Sequence, residues 1–152
     1  MFVPSGEFVE KHYTMWPGWK KAAGEKRIKG LLDKGFIPSS DNPLEAGEEI
    51  LDSLKTYFAS GPVIAMVWQG AHAVQIVRKL VGSTEPLSSD VGTIRGDYVL
   101  DSYTMSAGDS RSIRNLIHAS GTEEEAEKEI PHWFAAEELV EYRHVLEVVT
   151  YE

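Results

Sequence analysis

His118 is the residue whose type and setting first suggest chemistry. It closes a short apolar segment, Asn115-Leu116-Ile117-His118, just before a helix start marked by Ser120-Gly121-Thr122. Thr122-x-x-Glu125 has the capping-box pattern, and Ser120-x-x-Glu123 has it too if the helix begins earlier. A helix N-terminus offers free N–H groups and the positive end of the dipole, which suits a phosphate carried near His118. A half-buried histidine bonded to a neighbour would have the same spacing. Glu129 is the second candidate: Ala126, Ile130 and Trp133 mark a buried helix stripe, and Glu129 sits at its edge. A carboxylate turned inward needs a partner. An imidazole N–H would serve, and the pair would fix the tautomer and leave the other ring nitrogen free to attack. A solvated glutamate on an acidic helix fits the same position. Arg78, Arg95, Arg111 and Arg114 fall around one loop and one histidine, as an anion site would need, although scattered surface arginines would look alike.

The elements that must hold these residues follow from pattern and punctuation. Pro4-Ser5 ends an extended Met1-Phe2-Val3 and caps a short helix reaching about Tyr13. Trp16-Pro17-Gly18-Trp19 reads as a turn, and Lys20 to Lys34 as a helix weakened by Gly24 and Gly30 and stopped by Gly35. Ile37 to Pro43 is a loop. Leu44, Ile50, Leu51, Leu54, Tyr57 and Phe58 recur at helical spacing, up to Ser60-Gly61-Pro62. Val63 to Trp68 is a continuous apolar run of β-forming residues, expected as a buried interior strand. Ala73, Val74, Val77, Leu80 and Val81 then form one helix face closed by Gly82. Ser83 to Tyr98 is a long, irregular segment of the kind that is more often functional than idle. Asn115 to His118 reads as a short strand, and the following helix runs to Phe134 with Pro131 straining its last turn. From Ala135 to Glu152 one or two helical turns and an extended tail are expected. Strand and helix signals in this order indicate an α/β or α+β sandwich in a single domain.

The chain has 152 residues and 16.9 kDa, 42% hydrophobic and 26% charged, which suits one soluble domain with its own core. With 0 cysteines it has no disulfide framework, thiolate metal site or cysteine nucleophile. A net charge of -9 argues against general binding to a nucleic-acid backbone but leaves room for a local cationic pocket. No apolar run approaches the roughly 18 residues a bilayer crossing needs, and no secretory leader pattern opens the chain, so a cytoplasmic location is expected. Walker A, G-x-S-x-G and G-x-G-x-x-G patterns are absent, and His12, His72, His118, His132 and His144 form no paired-histidine metal motif.

Four collinear blocks carry a family resemblance. Asn115-Leu116-Ile117-His118-Ala119-Ser120-Gly121, continued by Glu127-Lys128-Glu129-Ile130 and Trp133-Phe134, resembles the active-site signature of nucleoside diphosphate kinases. Gly61 to Gly70, Gly82-Ser83-Thr84-Glu85-Pro86 and Gly92-Thr93-Ile94-Arg95-Gly96-Asp97 resemble three further blocks in the family's order, and Glu10-Lys11-His12-Tyr13 matches upstream. The resemblance implies a ferredoxin-like antiparallel sheet covered by helices, with residues 1–152 as one domain, 61–134 its matching core and 14–60 an expanded region. It implies ping-pong transfer of a γ-phosphoryl group from an NTP to an NDP through phosphohistidine at His118, oriented by Glu129 with help from Ser120. Arg78, Thr84 and Arg95 would hold donor phosphates bridged by Mg2+. Asn115 would bind the sugar and phosphate side, and Tyr13 would pack near the histidine. Positioning and charge stabilisation supply most of the rate in such chemistry, so no P-loop is needed.

The departures from the family pattern carry expectations of their own. No Lys-Pro-Asp occurs, and Met1-Phe2-Val3 corresponds to the end of the family's second strand, so the first strand and helix are expected to be missing by truncation. Losing that lysine would cost turnover on the order of 10²–10³, by analogy with removal of one preorganised donor. A catalytically impaired nucleotide-binding or assembly subunit is the alternative, and a histidine phosphocarrier a third reading. Residues 14–60 run longer than the family pattern and Phe58 lies close to the apolar run, so the base-stacking phenylalanine is left unassigned. Val91 stands where a proline of the subunit-contact loop is common, although a homo-oligomer is implied for a full-length chain. Neither membrane nor nucleic-acid partners are expected.

Overall fold

Ser5 accepts a hydrogen bond from the Phe8 N–H at 3.1 Å and so starts α1 (Gly6–Thr14), as its sequence context predicts. The computed structural model describes residues 1–142, 145–147 and 149. After a turn at Trp16–Gly18, with Gly18 at φ 83°, come α2 (Trp19–Leu32) and α3 (Pro43–Phe58). Asn42 caps α3 by accepting from the Leu44 N–H at 3.0 Å, and Pro43 occupies the first turn, where no intrahelical N–H is required. The sequence boundaries for these helices hold within a residue or two.

α2 and α3 pack backbone against backbone at two glycines. A Cβ on Gly24 would lie 1.8 Å from the Pro43 carbonyl oxygen, and one on Gly47 would lie 2.0 Å from that of Lys20. Gly24, which weakens α2 by propensity, is thus one of the two residues that let it approach α3, while Gly30 has nothing within 4 Å of where a Cβ would stand. Gly24→Ala is expected to lower unfolding stability by about 2–3 kcal/mol, because the obstacle is main chain and cannot rotate away. Chemical denaturation would measure the loss, and an unchanged midpoint would show that the helices separate freely.

The central expectation of the sheet is not met as a set of strands. Among the described residues the one β-pairing is an antiparallel bridge, with the Phe2 N–H donating to Val63 O at 3.2 Å and the Val63 N–H to Phe2 O at 2.8 Å. The next hydrogen-bonded pair would bring Pro4 opposite Gly61, and Pro4 has no N–H to continue the ladder. Beyond Val63 no second strand lies alongside among the described residues, and the run expected to be buried is exposed at Ile64, Met66 and Trp68. The expected strand over residues 115–118 also fails, because Leu116 adopts φ 66°, which breaks an extended path.

After the apolar run, α4 (Ala73–Val81) ends at Gly82, whose φ of 89° no other residue adopts easily. The irregular segment that follows holds a 3-10 turn at Pro86–Ser88 and a short α5 (Ile94–Tyr98) capped by Thr93. A sixth helix, α6 (Tyr103–Gly108), was not legible in the pattern; Ser102 caps it by accepting from the Met105 N–H at 3.1 Å. α7 (Glu123–Trp133) starts at Thr122, which accepts from the Glu125 N–H. The Glu125 carboxylate in turn accepts from the Gly121 N–H at 2.6 Å, one residue earlier than a capping box places it. Pro131 is accommodated inside the last turn of α7. A 3-10 turn at Ala136–Glu138 accounts for the expected turn after residue 135, and part of the expected tail lies outside the described residues. No helix among the described residues is long and apolar enough to cross a membrane.

Among the described residues Val9, Ala46, Leu51 and Val81 are the buried hydrophobic ones, so α1, α3 and α4 contribute the centre. α7 docks on α1 through an aromatic cluster: Phe8 stacks on His132 at 4.2 Å and meets Trp133 edge-on at 5.0 Å. The His132 Nε2–H donates to Phe8 O at 3.0 Å. This contact carries α7, and with it Glu129, onto the C-terminal half of α1.

Candidate active site

Glu129 lies on the face of α7 turned toward α1 and is buried, at 7% exposure. His118 precedes that helix and keeps 41% of its side chain exposed. Its Nε2 is 3.2 Å from both carboxylate oxygens of Glu129. Ser120 Oγ donates to Glu129 Oε2 at 2.5 Å. The three residues singled out in sequence as nucleophile and orienting groups therefore meet in one contact. Burial pushes the Glu129 carboxyl up, but the hydrogen bonds from His118 and Ser120 and the nearby imidazoles outweigh it, and the net shift is downward. An ionised Glu129 can accept an Nε2–H from His118, and an imidazole bonded in that way carries its lone pair on Nδ1.

The backbone before His118 is held from outside its own segment. The Tyr57 hydroxyl accepts from the Leu116 N–H at 3.2 Å. Arg95, 3% exposed, donates from Nη2 to Ile117 O at 2.6 Å and from Nε to Asn115 O at 3.3 Å. Its Nη1 donates to Ser83 O at 2.9 Å and Gly82 O at 3.3 Å. A guanidinium has five N–H donors. Four are thus spent clamping the segment before His118 to the segment after α4, which leaves one on Nη2. Burial, followed by Arg78 nearby, lowers the Arg95 pKa, but a guanidinium starts so high that it stays charged.

The other expected phosphate ligands surround this clamp. Arg78 Nη1 donates to Ala119 O at 3.3 Å, next to His118. Asn115 Nδ2 donates to Thr84 O at 3.4 Å, and Thr84 is exposed. A groove of about 570 Å³ runs between α4 and the start of α7, with Arg78 on one wall and Thr122 and Glu123 on the other. Tyr13 reaches the centre indirectly: its ring packs edge-on against His12 at 4.9 Å, and His12 packs edge-on against His118 at 4.9 Å. Burial raises the Tyr13 pKa, so its phenol stays protonated.

Arg111 does not belong to this group. It donates from Nη1 to Asp101 Oδ2 at 2.7 Å and from Nη2 to Oδ1 at 3.1 Å, and Asp101 also accepts from the Ser102 and Arg114 backbone N–H groups. The arginine is consumed by a structural pair, which sequence proximity to Asn115 did not reveal. Burial raises the Asp101 pKa, but these donors outweigh it and the net shift is down. The stability this adds is full above the ordinary carboxylate value and is lost as pH falls through the depressed one. Asp101→Asn is expected to cost about 2 kcal/mol at neutral pH and to flatten the acid limb of the stability curve below about pH 4. Denaturation at several pH values would check both effects.

His12 and Trp133 are the site neighbours that sequence reasoning left without a role. His12 is buried at 3% exposure on α1, and its Nε2 faces Glu129 Oε1 at 3.8 Å. The position of His12 three residues after Val9, on the inward stripe of α1, was the available signal. His12, His118 and Glu129 offer three donor atoms within 4.8 Å of one another. Two imidazoles and one carboxylate do not suit Mg2+, which prefers an octahedron of oxygens.

The family model described as nucleoside diphosphate kinase matches residues 44–139. The chain is 44% identical over 145 residues to a nucleoside diphosphate kinase of Pyrobaculum aerophilum, covering 93% of this chain and 79% of that protein. It is 41% identical over 124 residues to a nucleoside diphosphate kinase of Ginglymostoma cirratum, covering 82% and 72% respectively. Among solved structures, an NDP kinase from Pyrobaculum aerophilum superposes with a TM-score of 0.87 at 43% identity, covering 91% of this chain and 79% of that one. A Borrelia burgdorferi nucleoside-diphosphate kinase, a transition-state mimic with bound vanadate and ADP, superposes with a TM-score of 0.73 at 29% identity over 97% and 74%. These likenesses support the ferredoxin-like α/β class.

Proposed function

Since the chain belongs to the nucleoside diphosphate kinase family and is a phosphotransferase of that kind, we propose that it moves the γ-phosphoryl group from NTP to NDP through phosphohistidine at His118. The observation that carries this reading is the contact of His118 Nε2 with the buried, ionised Glu129, because it commits one nitrogen and frees the other. In the first half-reaction, the Nδ1 lone pair of His118 attacks the γ-phosphorus, the bond to the β-bridging oxygen breaks, and NDP leaves. Glu129, fixed by Ser120, holds the growing charge on the imidazole as the N–P bond forms. In the second half, a terminal phosphate oxygen of the acceptor NDP attacks the same phosphorus and His118 is regenerated.

Arg78, Thr84, the remaining Nη2–H of Arg95, and Asn115 line the approach, and we assign them to the phosphates and sugar of the nucleotide. Tyr13 supports the histidine pair from behind. Mg2+ enters with the substrate as the metal–nucleotide complex, since the site's own donor set does not suit it. We also read residues 1–152 as one domain with 61–134 as its core, and the Phe2–Val63 bridge as part of an antiparallel sheet. The chemistry fits a cytoplasmic enzyme that self-associates.

Incubation with γ-labelled ATP and Mg2+ is expected to place label on His118, lost in acid and stable in base, and chased off by any NDP. A folded protein that takes up no label would refute the reading. Label that transfers to a protein but not to NDP would favour a phosphocarrier instead.

A further inference from the structure

Trp133 has a single polar atom, and it is a donor: its Nε1–H points to His12 Nδ1 at 3.1 Å. A neutral imidazole has one N–H and one lone pair, so a ring that accepts at Nδ1 must bear its proton on Nε2. That nitrogen faces Glu129 Oε1 at 3.8 Å. We propose that His12 is a positioning residue for the Glu129–His118 pair, locked by the Trp133 indole with an N–H toward the carboxylate and no lone pair for a metal ion. The proposal rests on the reading of His118 as the nucleophile that Glu129 orients.

Two consequences follow from the locked tautomer. The Nε2–H dipole favours the ionised carboxylate beside it, on the oxygen that His118 also uses. The second consequence concerns metals. Three donor atoms within 4.8 Å would otherwise make a ready site for a transition-metal ion such as Zn2+, which would capture His118. With its lone pair spent on the indole, His12 cannot be the third ligand. Groups facing His12 are His118 before α7, Glu129 and His132 on α7, and the uncharged rings of Tyr13 and Trp133. Burial, and then the neighbouring His118, push the His12 pKa down to about 4 although Glu129 opposes them, which agrees with a ring that stays neutral while the site works.

The test begins on the full chain, unphosphorylated and labelled with ¹⁵N-histidine, by long-range proton–nitrogen correlation, with His12→Gln identifying the resonance. The expected spectrum is the Nε2–H tautomer, unchanged across about pH 5.5–8.5. A Nδ1–H tautomer or a charged ring overturns the proposal. The rate of His118 phosphorylation provides the second readout. His12→Phe keeps a ring but no donor and is expected to be slower by about 10-fold or more, with the acid limb of its pH profile moved upward. His12→Gln restores an N–H and should recover most of that rate; equal losses in the two variants would make His12 merely structural. Finally, nucleotide-free Trp133→Phe is expected to bind Zn2+ at least about 10-fold more tightly than the parent, because its His12 can exchange tautomers. Adding His12→Gln should abolish that gain, and equal Zn2+ affinity in parent and Trp133→Phe counts against the lock. Should Trp133→Phe not fold, the spectrum of the parent protein still decides. A parent protein with the expected tautomer but no phosphohistidine would refute the proposed function and leave the lock intact.

Discussion

His118→Gln is expected to abolish phosphoryl exchange between NTP and NDP, with rates falling by on the order of 10⁴ or more. The substitution retains an N–H that can reach Glu129 but has no nitrogen lone pair to form the N–P bond. His118 is 41% exposed, so its replacement leaves no cavity. Stability should therefore change by less than about 1 kcal/mol, and nucleotide affinity should persist. Coupled-assay turnover, melting and nucleotide titration on the same preparation would separate these effects. Residual exchange above about a hundredth of the parent rate would place the nucleophile elsewhere. Glu129→Gln should be milder, because it keeps an acceptor for His118 while losing the charge that stabilises the imidazolium.

The second large effect belongs to Arg95, where stability and activity should fall together. Arg95→Ala leaves four carbonyl oxygens, of Gly82, Ser83, Asn115 and Ile117, without their charged donor. The expected cost is about 3 kcal/mol, since four part-buried acceptors lose charge-assisted hydrogen bonds that water replaces only in part. For a domain of this size that corresponds to a melting point lower by roughly 10 °C. Arg95→Lys should recover little, because three donors on one nitrogen cannot span two segments as a planar fork does. Turnover in whatever folds should fall by on the order of 10²–10³, the scale for losing one preorganised donor. A stable Arg95→Ala protein with reduced turnover would mean that the clamp is dispensable and that only the free N–H matters.

What could be read from the sequence was local. Thr122-x-x-Glu125 marks a helix start whatever surrounds it, and the spacing of Glu129 from Ala126 sets its direction; these point to His118 and Glu129, whereas the part given to Ser120 is implied only by the family resemblance. The non-local parts were less visible. Arg95 looks like a free cation in its block, and only the folded chain shows four carbonyls converging on it. Arg111 looked equally available and is spent on Asp101. The run Val63 to Trp68 has the composition of a buried strand, but burial depends on what lies beside it, and here a single bridge to Phe2 is its β-partner among the described residues. Positions 115–118 have strand composition too, yet the contacts that turn Leu116 to φ 66° come from Tyr57 and Arg95. His12 is a histidine on an apolar helix stripe, which by itself says nothing about Trp133, 121 positions away.

That turned backbone at Leu116 has a consequence in time. A non-glycine residue in the left-handed region costs roughly 1–2 kcal/mol and holds only while its surroundings insist on it. The contacts that insist lie 59 residues away at Tyr57 and about 20 away at Arg95. Helices such as α2, α3 and α7 can form within microseconds from neighbouring residues, whereas contacts between distant parts of the chain are made later. His118 therefore reaches its working posture at the end of folding. A refolding sample should regain helical signal first and the capacity to accept a phosphoryl group last, which makes that capacity a clock for the final step of assembly.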